Sequence, residues 1–183
     1  SDVRREWPNK PINLYGPGTD SGTFDYFTKV VNGEERACRA DFTASEDDNV
    51  LVQGIAGDEN AMGYIGYAYY AENKSILKVV PIETETGPIS PSVATINNGT
   101  YQPLSRPIFI YVTTKAAERP EVDAFVKYYI KSAASLVTEV GYVPLPEEVY
   151  QLTLGHFKNR TTGSSFLNRD IVGVDLVDIL SSP

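Results

Sequence analysis

The sequence has only one cysteine and one histidine among its 183 residues. Cys38 alone cannot form an internal disulfide, and with His156 it leaves too few ligands for most zinc sites. No stretch approaches the roughly 18 uninterrupted apolar residues that a membrane span needs, and the first residues, SDVRREWPNKP, resemble neither a signal peptide nor an anchor. These absences predict a soluble chain with no metal and no cofactor.

Positive charge is also scarce, because 16 basic residues stand against 24 acidic ones and give a net charge of −8. This balance argues against nucleic acid or an anionic membrane surface as a partner. Any anionic ligand would have to be held by local dipoles and a few donors. The 42% apolar content is enough for a real core, in one domain or in two small lobes.

Residues 14–26, LYGPGTDSGTFDY, contain the most informative local pattern. Ile12, Leu14 and Tyr15 predict a strand, residues 16–18 break it, and Phe24 and Phe27 then recur at helical spacing. The segment therefore predicts a strand, a glycine-rich loop and the start of a helix.

A helix N-terminus of this kind can hold an oxyanion without a cationic side chain. It presents unpaired backbone N–H groups and about half a positive charge, to which Ser21 and Thr23 add hydroxyl groups. The alternative is that these side chains do no more than cap the helix. A nucleophile elbow is excluded because Thr19 replaces its first glycine, and a P-loop is excluded because no Gly-Lys-Ser/Thr follows.

The remaining pattern alternates strands and helices along the chain. Strands are predicted at 40–43, 62–67, 77–82 and 107–113, the last being the strongest and expected to be covered on both faces. Helices are predicted from Ser45 to Gly57 with a capping box at residues 45–48, then at 91–98, at 118–140 with Pro120 in the first turn, and from Pro146 onwards. Residues 81–91 are predicted to be a connection, and residues 171–180 a terminal strand or helix.

This alternation predicts α/β architecture with a mixed sheet flanked by helices. In such sheets ligands bind beside helix N-termini at the carboxyl ends of the strands, which is where Ser21 and Ser45 would lie.

Five motifs in this order resemble the PstS-like phosphate-binding proteins of ABC phosphate importers. They are GPGTDSGTFDYF at 16–27, TASEDDNVLVQG at 43–54, GYIGYAYY at 63–70, PLSRP at 103–107 and EVGYVPLP at 139–146. The resemblance covers residues 7–157. It implies a type II periplasmic-binding-protein fold, in which two α/β lobes close on inorganic phosphate. It also implies a non-enzymatic receptor, export to the periplasm or another extracytoplasmic space, and delivery of phosphate to a membrane permease.

Under this resemblance, residues 1–106 form most of one lobe and residues 107–183 return to pack on the lobes. Ser21, Gly22 and Thr23 match the phosphate-binding Ser-Gly-Thr of the family. Many relatives carry an arginine four residues before that serine, where this chain has Pro17. We expect Arg39 to supply the missing cation, with Arg106 as the second candidate.

Other residues near the second motif are weaker candidates. Ser45 through its hydroxyl, and Asp47 or Asp48 through a carboxylate, are candidate ligand contacts, an acid being able to accept the proton of hydrogen phosphate. The alternative is an ordinary helix cap. A calcium site from Asp41, Glu46, Asp47 and Asp48 matches no EF-hand spacing. The tyrosines of the third motif (Tyr64, Tyr67, Tyr69 and Tyr70) are expected to pack in the core more readily than to stack on a ligand.

Family members begin well upstream, so the resemblance implies that this chain is a fragment. We expect the fragment to bind phosphate weakly and to expose apolar edges near residues 107–113. Those edges would seek the missing N-terminal segment or a second copy. Two alternative functions remain open: a hydrolase using Ser21 as its nucleophile, and a receptor for another oxyanion.

Overall fold

The computed structural model describes residues 4–166 and 176–181. Its contacts divide the chain into two compact units, Ser1–Val79 and Val80–Pro183. The assignment of residues 1–106 to one lobe of the full-length protein stays a prediction. No helix of the described residues is both long enough and apolar enough to cross a bilayer.

The first unit is a small parallel sheet with helices between its strands. Its elements are β1 (Asn13–Pro17), α1 (Gly22–Asn32), β2 (Thr43–Ser45), α2 (Asp48–Ala56), β3 (Ala61–Gly63) and α3 (Tyr67–Glu72). The strand order is β2-β1-β3, and both pairings are parallel. The predicted succession of strand, glycine-rich loop and helix is therefore confirmed for residues 13–32.

The core of this unit lies between the sheet and its helices. Phe24 of α1 and Leu51 and Val52 of α2 are almost fully buried. Thr28 is equally buried, and its hydroxyl donates to the carbonyl of Phe24 at 2.8 Å, so its polar atom is paired within the helix. Burial of these side chains fixes α1 and α2 against the strands.

Glycine allows the closest approach in the sheet, where β3 pairs with β1. An added Cβ on Gly63 would lie 2.6 Å from the carbonyl oxygen of Tyr15 and 2.7 Å from Cδ1 of Ile55. The first of these atoms is backbone and belongs to the paired strand, so it cannot move without disturbing the sheet. A residue larger than glycine therefore does not fit at position 63 without displacing its neighbours.

The second unit is mostly helical. Its elements are β4 (Ile82–Thr84), β5 (Gly87–Ile89), α4 (Val93–Asn97), α5 (Thr114–Ala117), α6 (Pro120–Glu139), α7 (Glu147–Lys158) and α8 (Leu176–Ser181). Strands β4 and β5 form an antiparallel hairpin. The core of the unit forms where α6 meets α7, from Val126, Ile130 and Leu154. The predicted helices at 91–98, 118–140 and after Pro146 are confirmed.

Several sequence predictions are wrong in detail. The strand predicted at 40–43 is β2, which runs from Thr43 to Ser45. The second helix begins at Asp48 rather than Ser45, because Asp47 caps it. Residues 77–81 are not a strand, and β4 and β5 lie in the predicted connection. Residues 62–67 are not one buried strand, since β3 ends at Gly63 and Met62 is exposed.

A further error concerns residues 107–113, which have the strongest strand-forming sequence and yet form no strand. They belong to no helix or strand, and most of their apolar side chains are exposed. Strand propensity largely reflects packing against neighbouring strands, so a strand former without a neighbour cannot form a ladder. Of the predicted terminal element, residues 176–180 are helical, and residues 171–175 lie outside the described residues.

We predict that Gly63→Ala lowers the free energy of unfolding by about 1 to 3 kcal/mol, because the added methyl overpacks the β1–β3 contact. Gly155→Ala is the matched control, since nothing lies within 4 Å of a Cβ added at this position in α7. There the same change should stabilise by about 0.5 to 1 kcal/mol through helix propensity. Urea unfolding of both variants gives the comparison, and equal effects would contradict the account of Gly63.

Candidate anion-binding site

The candidate site is the segment of residues 18–23, here called the 18–23 loop, which leads from β1 into α1. Ser21 has extended backbone angles (φ −94°, ψ 126°), and its hydroxyl oxygen accepts a hydrogen bond from the N–H of Thr23 at 3.2 Å. The N–H of Ser21 itself donates to the carbonyl of Gly18 at 3.1 Å. Ser21 is therefore the N-cap of α1, and the loop is a tight turn around it.

The structure brings the Ser-Gly-Thr residues together at the amino end of an 11-residue helix. Gly22 is exposed at this end, and Ser21 and Thr23 are half-buried. Aligned peptide dipoles give such an end about half a positive charge, which favours a bound anion. Helix capping by Ser21 is what the geometry shows. The phosphate-binding role of Ser21, Gly22 and Thr23 stays a prediction.

The parallel pairing of β1 with β2 places Ser45 beside the loop. The register sets Pro17 opposite Ser45, and the N–H of Gly18 donates to the carbonyl of Ser45 at 3.2 Å. The hydroxyl of Ser45 accepts from the N–H of Asp47 at 3.0 Å. Ser45 thus ends a strand at the carboxyl edge of the sheet and does not cap α2.

Glu46 is a residue that sequence reasoning did not assign to the site. Its Oε1 accepts a hydrogen bond from the N–H of Asp20 at 3.3 Å. A Cβ added to Gly18 would lie 1.9 Å from the same oxygen, so the absence of a side chain at Gly18 lets the carboxylate rest on the loop. A negative charge therefore lies against the loop that is proposed to hold an anion.

The two aspartates that follow have structural partners. Asp47 caps α2 by accepting from the N–H of Asn49 at 2.9 Å. Burial raises the pKa of Asp48, while a hydrogen bond from the backbone of Gly66 opposes that rise. Since Gly66 precedes α3, the carboxylate of Asp48 ties α2 to the start of α3. A ligand role for Asp48 stays a prediction.

Arg39, the expected cation, is exposed and forms an ion pair with Asp41. Its Nε donates to Oδ1 of Asp41 at 2.7 Å and its Nη2 to Oδ2 at 2.5 Å, and this pairing raises the pKa of Arg39 and lowers that of Asp41. Within the described part of the chain both hydrogen bonds of this guanidinium go to Asp41. Its role, like that of Arg106 in the second unit, stays a prediction.

A different arginine is joined to the helix of the site. Arg36 donates through Nε to Oδ1 of Asp25 at 2.9 Å, and Asp25 is four residues after Ser21 in α1. The backbone of Arg36 has φ 67°, and its N–H donates to the hydroxyl of Thr28 at 2.7 Å. The polar turn of residues 32–36 thus folds back along α1, which the sequence did not indicate.

Aromatic packing supports the strand that leads into the loop. The ring of Tyr64 stacks on Phe27 with the centroids 3.8 Å apart and nearly parallel, and burial raises the pKa of Tyr64 to about 12. A Cβ on Gly16 would lie 2.9 Å from the Tyr64 ring, so this glycine lets the ring cover the end of β1. Tyr64 is therefore half-buried and packs between α1 and β1.

A metal site and a catalytic serine have less support here than an anion-binding site has. Among the described residues, no group of three or more His, Cys, Asp or Glu could hold a metal ion, which includes the acidic set around Asp41 and Glu46. Ser21 Oγ is hydrogen bonded to the N–H of Thr23, and no basic side chain of the described residues hydrogen bonds to it. What the arrangement offers chemically is backbone and hydroxyl donors at a helix N-terminus.

Comparisons with known proteins identify relatives of this chain. Over 181 residues the chain is 43% identical to Protein SphX of Synechococcus elongatus, covering 98% of the chain and 53% of that protein. It is 37% identical over 160 residues to the phosphate-binding protein PstS of Staphylococcus aureus, covering 86% of the chain and 47% of that protein. The chain thus spans about half the length of the curated relatives it matches.

A solved structure has a similar fold. The crystal structure of a possible phosphate binding protein from Planctomyces limnophilus matches with a TM-score of 0.72 and 44% sequence identity, over 88% of this chain and 58% of that one. The α/β class expected from the sequence is confirmed. A family model described as a PBP superfamily domain matches residues 3–133. On this evidence, the chain belongs to the PBP superfamily.

Proposed function

We propose that the protein is the substrate-binding component of an ABC importer and that it binds inorganic phosphate at the N-terminus of α1. The observation that carries this proposal is the 18–23 loop, where Ser21 caps the helix and the Ser-Gly-Thr residues gather at its amino end. Support comes from the relatives, since PstS and the solved structure are named as phosphate-binding or possible phosphate-binding proteins.

In this function Ser21 and Thr23 contribute their hydroxyl groups, since the N–H of Thr23 already donates to Ser21 Oγ, and Gly22 lies at the same end of the helix. Fixed amide dipoles suit a chain of net charge −8, because they attract an anion locally without changing the charge of the protein. Ser45 is the second contact that we propose, because its carbonyl already holds Gly18 at the start of the loop. Asp48 and Arg39 complete the proposed set.

The location of the protein and its partner are further parts of this proposal. We infer that it works outside the cytoplasm and passes phosphate to a membrane permease, since receptors of this kind act at that point of an importer. The acidic net charge gives no support for nucleic acid as a partner.

A hydrolase using Ser21 is the alternative from another class. It requires a general base within hydrogen-bond reach of the serine hydroxyl. The hydrogen bond made by Ser21 Oγ is one that it accepts from a backbone N–H, which favours capping and anion binding over nucleophilic attack. Phosphatase or esterase activity that disappears in Ser21→Ala would replace the receptor proposal. Competition by sulfate and molybdate against phosphate separates a phosphate receptor from a receptor for another oxyanion.

We predict that Ser21→Ala in the full-length protein weakens phosphate binding about tenfold, the scale of one hydrogen bond to a charged ligand. The change also removes the N-cap of α1, at a cost of about 1 kcal/mol in stability. Ser92→Ala is the matched control, since the Ser92 hydroxyl accepts from the N–H of Thr95 at 3.1 Å and caps α4 in the same way. Calorimetry should show normal phosphate affinity in that control. Equal affinities in the two variants would contradict the proposed site.

We predict that Glu46→Gln tightens phosphate binding by about three- to tenfold at low salt, because it removes a negative charge a few ångströms from the loop while keeping the side-chain shape. The gain should shrink at high ionic strength. Glu59→Gln serves as the control, because this exposed glutamate lies in the turn before β3, at the amino ends of the parallel strands, whereas the 18–23 loop follows the carboxyl end of β1. Unchanged or weaker affinity in Glu46→Gln would show that the carboxylate does not oppose the anion.

A further inference from the structure

The sequence contains the pair Asn-Gly twice, at residues 32–33 and 98–99. Each pair ends a helix, the first α1 and the second α4, and both asparagines are exposed. Asparagine is a chemically labile residue. It is most labile before glycine, because glycine has no Cβ to shield its backbone nitrogen from the neighbouring side-chain carbonyl. The sequence alone makes the two pairs equivalent, but the structure distinguishes them.

The side chain of Asn98 closes a turn over the peptide group of Gly99. Its Oδ1 accepts a hydrogen bond from the N–H of Thr100 at 3.1 Å and another from the Thr100 hydroxyl at 2.7 Å. Because a backbone N–H only donates, the side-chain atom that faces it is the oxygen, which fixes the orientation of the amide. The ring closed by this bond contains the nitrogen of Gly99, so the turn holds that nitrogen close to Cγ of Asn98.

The two hydrogen bonds also activate the side-chain carbonyl of Asn98. Paired donors stabilise the negative charge that develops on a carbonyl oxygen when a nucleophile adds to its carbon. In the part of the chain that the structure describes, Nδ2 of Asn98 forms no hydrogen bond, so this leaving group is not restrained. The N–H of Gly99 donates to the carbonyl of Ile96 at 3.3 Å, which is long for such a bond. The nucleophile is therefore held only weakly.

Asn32 is held in a way that opposes the same reaction. Its Nδ2 donates to the carbonyl of Ala37, which restrains the leaving group. The N–H of Gly33 donates to the carbonyl of Lys29 at 2.9 Å in the left-handed cap of α1. This nitrogen must lose its proton before it attacks, so a shorter hydrogen bond to a helix carbonyl slows the attack. Among the described residues, nothing donates to Oδ1 of Asn32.

We propose that Asn98 is a site of spontaneous deamidation and that the fold protects Asn32. The nitrogen of Gly99 loses its proton to water and forms a bond to Cγ of Asn98. The Cγ–Nδ2 bond breaks, and Nδ2 takes up a proton and leaves as ammonia. A second step adds water to either carbonyl of the succinimide, so residue 98 becomes aspartate or isoaspartate. The net reaction consumes one water and releases one ammonia.

The reaction changes a surface of the second unit that is already acidic. Gly99 lines a concave surface of about 600 Å³ together with Glu83, Glu85 and Gln102. A new carboxylate at position 98 adds to the negative charge there, and an isoaspartate also lengthens the main chain by one carbon atom after α4. The 18–23 loop belongs to the first unit, and the inference does not depend on which anion the protein binds.

Incubation at neutral pH, followed by proteolysis and mass spectrometry, tests the proposal. Residue 98 should convert to aspartate and isoaspartate at least about tenfold faster than residue 32, less than the roughly 100-fold or more that one such donor contributes in a closed active site. In the chain unfolded in urea the two pairs should convert at similar rates, because the contrast comes from the folded turns. Equal rates in the folded protein, or the same contrast in the unfolded chain, would overturn the proposal.

Thr100→Val tests the activating hydrogen bond. The change removes the hydroxyl donor to Oδ1 of Asn98 while it keeps the backbone N–H and the shape of the side chain. Deamidation at Asn98 should slow by about two- to tenfold, the scale of one hydrogen bond, and the rate at Asn32 should not change. Thr138→Val is the matched control, because it removes an exposed hydroxyl that donates to a carbonyl within α6, and it should alter neither rate. An unchanged or faster rate at Asn98 in Thr100→Val would contradict the proposed activation.

Discussion

The parallel pairing of β1 with β2 is the constraint on which the candidate site depends. It sets Pro17 opposite Ser45, and the next residue, Gly18, continues the ladder by donating to the carbonyl of Ser45. Because both strands run in the same direction, the loop after β1 and the turn after β2 leave the sheet at the same edge. A different register would separate Ser45 and Glu46 from the start of α1.

The electrostatics of the site result from two opposing terms. The N-terminus of α1 attracts anions through the aligned dipoles of its peptide groups, whereas Glu46 places a carboxylate on the N–H of Asp20 in the same loop. Two arginines of this unit are paired with acids, Arg36 with Asp25 and Arg39 with Asp41. Either of them can join a bound anion only by leaving its present partner.

The sequence predicted an element correctly where the interactions that fix it form within one short segment. The glycine loop after β1, Ser21 as a cap, Pro120 in the first turn of α6 and Gly57 after α2 each act within a few residues, and all lie as predicted. Prediction failed where the outcome depends on a distant segment. Residues 108–112 have the composition of a central strand, but a strand needs a neighbour, and their predicted pairing is absent from the described chain. Glu46 was missed because only the folded register brings it over Gly18.

Backbone amide resonances test most directly whether phosphate binds at the amino end of α1. In ¹H–¹⁵N spectra of the full-length protein titrated with phosphate, the account predicts that the Gly22 and Thr23 amides shift saturably and with one shared dissociation constant. Sulfate at the same concentration should move them less. If phosphate saturates the protein while these amides stay unmoved and other amides shift, the anion binds elsewhere and the account is contradicted.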